Sequence, residues 1–266
     1  MMELIFKDLT RELIGCFFYV QNTLGVGYDE NLYHKALEHH FKKIGIENSS
    51  EVRKTLYHRG YKVRSFKADF VISDRIILEL KSIQSHFIQA NYIQILSELK
   101  LWKLPLGLLV NFGLQKVVIE RIPFSEKPKM IQENYDFIKD RINENDRKIL
   151  AALRECILYV FEVHGLGYGG IVYRKIIDTE FNYQKINYQN KSPISVQFEG
   201  EVISEFKMKP IIVENRIICA INALGDKIDF YDIAKLQSYL RALNLQIGII
   251  VNFGKTKLEI KGVSVG

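Results

Sequence analysis

Residues 107–113 read Gly-Leu-Leu-Val-Asn-Phe-Gly, and residues 248–254 read Gly-Ile-Ile-Val-Asn-Phe-Gly, an offset of 141 in a chain of 266 residues. Two more phrases repeat in the same order. Asp-Arg-Ile-Ile at 74–77 returns as Asn-Arg-Ile-Ile at 215–218, and Gly-Val-Gly-Tyr at 25–28 returns as Gly-Leu-Gly-Tyr at 165–168. Three phrases in one order at a nearly constant offset indicate an internal duplication.

Both repeats have the same order of helical and extended patterns. In the first repeat, apolar residues at helical spacing cover residues 9–23, 30–44 and 88–102, and extended patterns cover 51–58, 61–72, 75–82 and 107–111. In the second, helical patterns cover 149–164, 171–183 and 230–243, and extended patterns cover 207–213, 216–223 and 248–252. Interleaved helices and strands predict an α/β fold, with a central mixed sheet flanked by helices in each repeat.

The duplication predicts two tandem domains. We place them at residues 1–122 and 148–266, with the boundary near Asn145. Residues 123–147 are polar with balanced charges and include Pro128, so we expect a linker with one short helix of its own.

The chain has no run of eighteen or more uncharged apolar residues, so a membrane-spanning helix is not expected. Cys16, Cys156 and Cys219 are far apart and form no Cys-x-x-Cys pair. We expect buried free thiols in a reducing compartment, with the cytoplasm as the default location.

The formal net charge of +6 permits a polyanionic partner but does not require one. Six basic residues lie in a segment without acidic residues, residues 52–68, which also contains His58. Its cationic members are Arg53, Lys54, Arg59, Lys62, Arg64 and Lys67. Two interpretations remain open: a hairpin edge protected from aggregation by its charges, or a ribbon that contacts nucleic-acid phosphates.

The segment 67–81 carries the clearest chemical signal. It predicts two strands joined by a tight turn at Ser73-Asp74, with Asp69 on the first strand and Glu79 and Lys81 on one face of the second. Charges among Ile, Leu and Val require compensation. A divalent cation held by carboxylate oxygens would supply it, with Lys81 beside the attacking water and its pKa lowered if it is desolvated. A buried ion pair is the alternative.

Two further residues extend this set. Glu30 lies at the start of a predicted helix, where the helix dipole favours a carboxylate whatever its function. Gln94 lies on an otherwise apolar helix face, where a satisfied core amide is the simpler interpretation.

The set resembles the PD-(D/E)XK nuclease superfamily, in which an Asp precedes a Glu-x-Lys on adjacent strands and the next helix carries a Gln. More narrowly, residues 27–33, 68–81 and 107–113 together with Gln94 resemble the family named for its GxxExxY motif. The resemblance implies a Mg²⁺ or Mn²⁺ site with Glu30, Asp69 and Glu79 as its carboxylates. It also implies that Lys81 is the catalytic lysine and Gln94 an accessory group. The family's helix has Tyr four residues after the Gln, whereas this chain has Glu98.

The second repeat lacks all five of these polar residues. The residues at the matching positions are Gly170, Pro210, Ala220, Asn222 and Lys235. Because the scaffold phrases persist without the polar set, the fold does not need those groups, and we predict one functional site in the first repeat. The nearby Asp226, Asp229 and Asp232 are expected to cap a helix.

We therefore expect a Mg²⁺- or Mn²⁺-dependent nuclease that cleaves DNA, with one active site and a degenerate second domain for substrate or partner binding. A homodimer or a protein partner bound through that second domain is a further expectation. The alternatives are a non-catalytic nucleic-acid-binding or assembly subunit, and a hydrolase of another phosphodiester such as a signalling nucleotide.

Overall fold

The computed structural model of the protein describes residues 5–190, 193–207 and 209–265, except the side chains of residues 197 and 206. The chain divides into two compact units. The first contains Met1–Leu56 and Ser65–Ser125, and the second contains Tyr57–Arg64 and Glu126–Gly266. Residues 57–64 therefore belong to the second unit, although they lie within the first repeat of the sequence.

The described residues of the first repeat form three helices and five strands. The helices are α1 (Lys7–Leu24), α2 (Glu30–Ile44) and α3 (Gln89–Trp102). The strands are β1 (Asn48–His58), β2 (Tyr61–Ile72), β3 (Ile76–Lys81), β4 (Leu106–Asn111) and β5 (Val118–Pro123). They form one mixed sheet in the order β1-β2-β3-β4-β5, in which only β3 and β4 are parallel among the paired registers described. The predicted α/β fold is confirmed.

Strand β3 has an apolar side chain on both faces, so the sheet lies between helices. Ile76, Leu78 and Leu80 pack in a core with residues of α1 and α2, whereas Ile77 packs with Ile95 of α3 on the opposite face. The alternation predicted for this strand is thus correct. The turn before it is also as predicted, because Ser73 and Asp74 both have positive φ angles, as a two-residue hairpin turn requires.

The two glycines of the Gly-x-x-Val-Asn-Phe-Gly phrase allow close approach of other groups. A Cβ on Gly107 would lie 2.6 Å from the side chain of Ile95 on α3. A Cβ on Gly113 would lie 2.4 Å from the backbone nitrogen of Ile83, in the loop that follows β3. The phrase therefore recurs in the second repeat because it permits helix and loop packing, not because it performs chemistry.

An aromatic pair also recurs in both repeats. Tyr33 of α2 stacks on Phe112 with ring centroids 4.6 Å apart, and its hydroxyl donates to the carbonyl of Gly25. In the second repeat, Tyr173 stacks on Phe253 at 3.9 Å in the same way. The tyrosine that follows Glu30 by three residues is thus a packing residue.

In the part of the second repeat that the structure describes there are three helices and, with β6 included, eight strands. The helices are α4 (Glu144–His164), α5 (Gly170–Tyr183) and α6 (Phe230–Ala242). The strands are β6 (Ile131–Asn134), β7 (Tyr188–Gln189), β8 (Pro193–Phe198), β9 (Glu201–Lys207), β10 (Ile211–Val213), β11 (Ile217–Ala223), β12 (Ile247–Phe253) and β13 (Leu258–Ser264). One sheet has the order β6-β13-β12-β11-β10-β7, and β8 pairs with β9 separately.

Two sequence predictions for this region were wrong. Between Phe124 and Asn143 the structure has no helix among its described residues, and Ile131–Asn134 instead form β6, which adds to the sheet parallel to β13. The extended pattern at 207–213 is interrupted, because β9 ends at Lys207 and β10 begins at Ile211. Edge strands depend on a partner strand far away in sequence, which periodicity does not reveal.

The three cysteines are buried and free, as predicted. Within the described residues, every helix is either too short or too polar to cross a membrane.

Candidate functional site

Antiparallel pairing of β2 and β3 brings the candidate acidic residues together. Phe70 lies opposite Leu78, so Asp69 and Glu79 are the next residues along the two strands. Oδ2 of Asp69 accepts a hydrogen bond of 2.7 Å from the backbone nitrogen of Leu80, the residue that follows Glu79. The strand pairing therefore fixes the position of one carboxylate relative to the other.

Glu79 is held through a single oxygen. Its Oε1 accepts hydrogen bonds of 2.5 Å from Nζ of Lys81 and 2.5 Å from Nε2 of Gln94. Its Oε2 is buried and has no hydrogen-bond partner. Since only 2% of Glu79 is exposed, that second oxygen is desolvated and lacks compensation from any neighbouring donor.

Lys81 connects the strands to helix α2. Its Nζ lies 2.5 Å from Oε1 of Glu79 and 3.7 Å from Oε2 of Glu30, and it donates to the carbonyl of Leu80 at 2.7 Å. Glu30 is at the first position of α2, next to the capping residue Asp29, and its side chain is 45% exposed. The structure thus joins Glu30 to the other candidates through the ammonium group.

The pKa values of the carboxyl groups are raised together. Burial, followed by the charge of Asp69, raises the pKa of Glu79 to about 8. Burial also raises the pKa values of Asp69 and Glu30. For Lys81, burial by itself would lower the pKa, but the surrounding carboxylates outweigh it and raise the pKa. The lowered lysine pKa expected from the sequence is therefore not found.

The structure brings two further residues to the site that were not among the predicted site residues. Glu98 is buried, its Oε1 accepts a hydrogen bond of 3.2 Å from Gln94, and burial followed by the charge of Glu79 raises its pKa to about 9. His34 stacks on Phe70, and its Nε2 lies 3.2 Å from the carbonyl oxygen of Asp69. The sequence signal for both is helical spacing, since each lies four residues after a candidate and so on the same helix face, but spacing does not show that this face packs against the sheet.

The predicted basic segment does not act as one surface. In the second unit, Arg59 forms an ion pair with Glu180 at 2.9 Å and lies over the rings of Tyr159 and Tyr183. Glu180 also accepts a bond of 2.7 Å from His58, which is buried. The remaining basic side chains are on β1 and β2: Arg53, Lys54, Lys62, Arg64 and Lys67.

Two members of that remaining set have contacts within the first unit. Lys67 pairs with Glu51 at 2.6 Å, and both side chains are largely exposed. Nζ of Lys54 lies 5.8 Å from the ring centre of Trp102. Exposed contacts of this kind contribute little to stability.

The donor chemistry of the site fits a divalent cation of the magnesium class. Among the described residues, no three His, Cys, Asp or Glu side chains are placed to hold a metal ion together. Magnesium needs only one or two carboxylates, because it keeps several of its waters. Asp69 and Glu79 provide two on neighbouring strands, and the unpartnered Oε2 of Glu79 is a buried oxygen that a cation would compensate.

Comparisons with known proteins place the chain in a family. No curated protein matches it at a significant level. A solved structure described as "Crystal structure of SSO0001" is 22% identical, with a TM-score of 0.31, and the match covers 35% of this chain and 50% of that one, a similarity too low to support conclusions. A model of the PD-(D/E)XK nuclease superfamily matches residues 7–122 and again residues 147–263. The chain, with its internal duplication, therefore belongs to the PD-(D/E)XK nuclease superfamily.

Proposed function

We propose that the first repeat is a divalent-metal-dependent nuclease that hydrolyses phosphodiester bonds in DNA, and that the second repeat has lost this activity. The observation that carries the proposal is the buried Glu79, which is held by Lys81 and Gln94 through one oxygen while the other oxygen has no partner. A buried carboxylate oxygen without a partner lowers the stability of the fold, and a bound cation would compensate its charge.

In this proposal Asp69 and Glu79 hold Mg²⁺ or Mn²⁺, with Glu30 as a further carboxylate. The bound ion would lower the pKa of a water molecule and offset the negative charge that develops on the phosphate. The four raised carboxyl pKa values fit this role, since a cation takes the place of protons that the crowded carboxyl groups otherwise retain.

Lys81 and Gln94 position other groups. With its raised pKa, Lys81 stays protonated at neutral pH and can donate a hydrogen bond that orients the attacking water or a phosphate oxygen. Gln94 donates to Glu79 and to Glu98, so it fixes the carboxylate of Glu79 in one orientation.

The alternative of a structural ion pair is less well supported. Strand β11 has the same parallel register to β12 as β3 has to β4, with Ala220 opposite Ile250 and Asn222 opposite Asn252. The second repeat therefore builds the same strand pair without charges at these positions. A fold that manages with alanine and asparagine does not need Glu79 and Lys81 for its assembly.

The assignment to the GxxExxY family also belongs to this proposal. It rests on Glu30 followed by Tyr33, where the first residue contacts Lys81 and the second packs on Phe112. For a nucleic-acid surface on the first unit we retain Arg53, Lys54 and Lys67. Lys62 and Arg64 are in the second unit and remain separate candidates there, and Arg59 is left out because it is engaged by Glu180.

Cleavage of supercoiled plasmid tests the proposal. The protein is incubated with supercoiled, linear and single-stranded DNA and with RNA, in Mg²⁺, in Mn²⁺ and in EDTA. We expect metal-dependent nicking that gives relaxed circles, because one active site cuts one strand per encounter. Linear product at high protein concentration would instead indicate that two chains pair on the substrate.

The matched variants are Lys81→Ala and Lys43→Ala. Lys43 is an exposed lysine near the end of α2, so its removal should leave cleavage unchanged. Loss of cleavage in Lys81→Ala and in EDTA would support the proposal. DNA binding that is equal in both variants, with no cleavage of any polymer by the wild type, would overturn it and favour a non-catalytic binding subunit.

A further inference from the structure

The second unit contains a cavity where the first unit has its acidic residues. It has a volume of about 110 Å³ and lies beside strand β11 and helices α5 and α6. Its lining includes the residues at the positions that match Asp69, Glu79, Lys81 and Gln94, namely Pro210, Ala220, Asn222 and Lys235. The exchange of large charged groups for smaller ones on the strand leaves open space at this position.

The charge at this position is reversed between the repeats. Three cationic side chains line the cavity: Arg174 of α5, Lys209 before β10 and Lys235 of α6. Among the described residues, its lining has one carboxylate, that of Asp232, which already accepts a hydrogen bond of 2.9 Å from Asn222. The cavity, which we call the basic pocket, therefore has an excess of positive charge.

The three cationic side chains of the basic pocket form no ion pair with a carboxylate among the described residues. Arg174 donates to the neutral amide oxygen of Asn190 at 2.6 Å, and Nζ of Lys235 lies 5.9 Å from the ring centre of Tyr231. Arg174 is still near a carboxylate, because its charge opposes the rise that burial causes in the pKa of Asp178. Elsewhere in the second unit basic residues are paired, as Arg216 is with Asp146 and Arg154 with Glu133.

The size of the pocket suits an anion larger than a halide. A water molecule needs roughly 10–15 Å³ of cavity volume, so a cavity of about 110 Å³ has room for several water molecules or for one larger anion. Two ammonium groups and a guanidinium around one space match the tetrahedral oxygens of a phosphate, which accepts hydrogen bonds from all sides.

From this geometry we infer that the basic pocket of the second repeat binds a phosphate group of a nucleotide or nucleic acid through Arg174, Lys209 and Lys235. The inference gives a site to the substrate binding that the sequence leads us to expect of the second repeat. Binding there requires no metal, so it is independent of whether the first repeat cleaves. The position that would bind a cation in the first repeat thus binds an anion in the second repeat.

Binding measured in EDTA tests this inference without cleavage. The full chain is titrated with three probes: a fluorescent single-stranded oligonucleotide, deoxythymidine monophosphate and inorganic phosphate. The variants are Lys209→Gln, Lys235→Gln and the double variant, and the control is Lys175→Gln, an exposed lysine of α5 next to Arg174 but outside the pocket. Lys235→Gln installs the residue that the first repeat has at Gln94.

We expect the double variant to bind at least one probe about tenfold more weakly than the wild type and the control. If the oligonucleotide is the ligand, the slope of log affinity against log salt concentration should fall by about 1.4, or 0.7 for each lysine removed. A loss confined to the oligonucleotide identifies a backbone phosphate. A loss that extends to the monophosphate and phosphate identifies a terminal or free phosphate.

Two results would overturn the inference. The first is wild-type affinity of the double variant for all three probes, with circular dichroism and the thermal midpoint unchanged. The second is the absence of measurable binding of any probe by the wild-type chain. A protein that cleaves DNA normally but gives either result would retain the proposed function of the first repeat while losing this role for the second.

Discussion

The amide of Gln94 and the ammonium of Lys81 both donate to the same oxygen of Glu79, each at 2.5 Å. The other oxygen of Glu79 is buried without a partner. The carboxylate is therefore oriented through Oε1 and leaves Oε2 uncompensated. We therefore make separate predictions for metal binding by Glu79 and for the orientation of its carboxylate by Gln94.

Replacing Glu79 with Gln should stabilise the metal-free protein and abolish its response to metal. A buried carboxyl whose pKa is raised to about 8 by burial and by Asp69 opposes folding at neutral pH, and the neutral amide removes that cost. We expect the free energy of unfolding in EDTA to rise by about 1–2 kcal/mol. Urea denaturation measures it.

In the same experiment, Mn²⁺ at about one hundred times its dissociation constant should stabilise the wild type by about 2.7 kcal/mol. Glu79→Gln should show no such gain. Asp226→Asn is the control, because Asp226 lies in the second repeat and forms an exposed ion pair with Lys255. Equal metal stabilisation in wild type and Glu79→Gln would contradict the assignment of Glu79 as a metal carboxylate.

Gln94→Leu should weaken metal binding without removing it. The variant keeps the size of the side chain but loses the hydrogen bond that orients Glu79, and loss of such a supporting residue lowers metal affinity by roughly 10- to 100-fold. Titration with Mn²⁺, followed by electron paramagnetic resonance, measures the change. A dissociation constant equal to that of the wild type would mean that Lys81 alone fixes the carboxylate.

The two asparagines of the repeated phrase should differ in their contribution to stability. Asn111 accepts from the backbone nitrogens of Ile83 and Gly113 and donates to the carbonyls of Ile83 and Ser85. Asn111→Ala leaves these buried groups without partners, and we expect a loss of about 2–4 kcal/mol.

Asn252 is its counterpart and has fewer bonds. Its Nδ2 donates to Gly225 at 3.3 Å, and its Oδ1 has no partner. We expect Asn252→Ala to cost less than about 1 kcal/mol. Chemical denaturation of both variants tests the difference, and equal losses would show that the phrase has the same structural role in each repeat.

The pair of His58 and Glu180 should make the second unit sensitive to acid. Burial by itself would raise the pKa of Glu180, but hydrogen bonds from Arg59, Gln184 and His58 lower it to about 2. Its stabilisation is therefore complete above pH 4.5 and is lost as the pH falls toward 2. Burial lowers the pKa of His58, so the unfolded state takes up a proton more readily than the folded state does. The free energy of unfolding therefore falls as the pH drops below 6.5.

Glu180→Gln should accordingly lower the free energy of unfolding at pH 7 by about 2–4 kcal/mol, because it leaves the charge of Arg59 without its carboxylate. It should also flatten the loss of stability between pH 4.5 and pH 2. Glu162→Gln, which removes an exposed pair with Lys129, is the control and should cost less than about 1 kcal/mol. Equal effects of the two variants at pH 7 would contradict the prediction.

Local patterns predicted most of the first repeat. Helix α2 and strand β2 have the bounds that the sequence indicates, Glu30–Ile44 and Tyr61–Ile72. The turn at Ser73-Asp74 and the alternation on β3 were also predicted correctly, because both depend on residues next to each other. The superfamily match over residues 7–122 and 147–263 agrees with the duplication inferred from the repeated phrases.

Long-range contacts were beyond this kind of prediction. Glu98 and His34 reach the site only because α3 and α2 pack against the sheet, and β6 exists as a strand only because β13 is beside it. The membership of Tyr57–Arg64 in the second unit likewise depends on Glu180, which is more than one hundred residues away.

The sequence by itself determined the duplication and the α/β class, which are recorded in periodicity and in repeated phrases, and its motif spacing indicated the acidic residues of the first repeat. Only the tertiary structure decided which oxygen of Glu79 is left without a partner, which basic residues are engaged, and that the matching position in the second repeat is a basic pocket. Those features arise where side chains from separate helices and strands come into contact. Burial at these contacts determines which polar groups have partners and which charges are compensated.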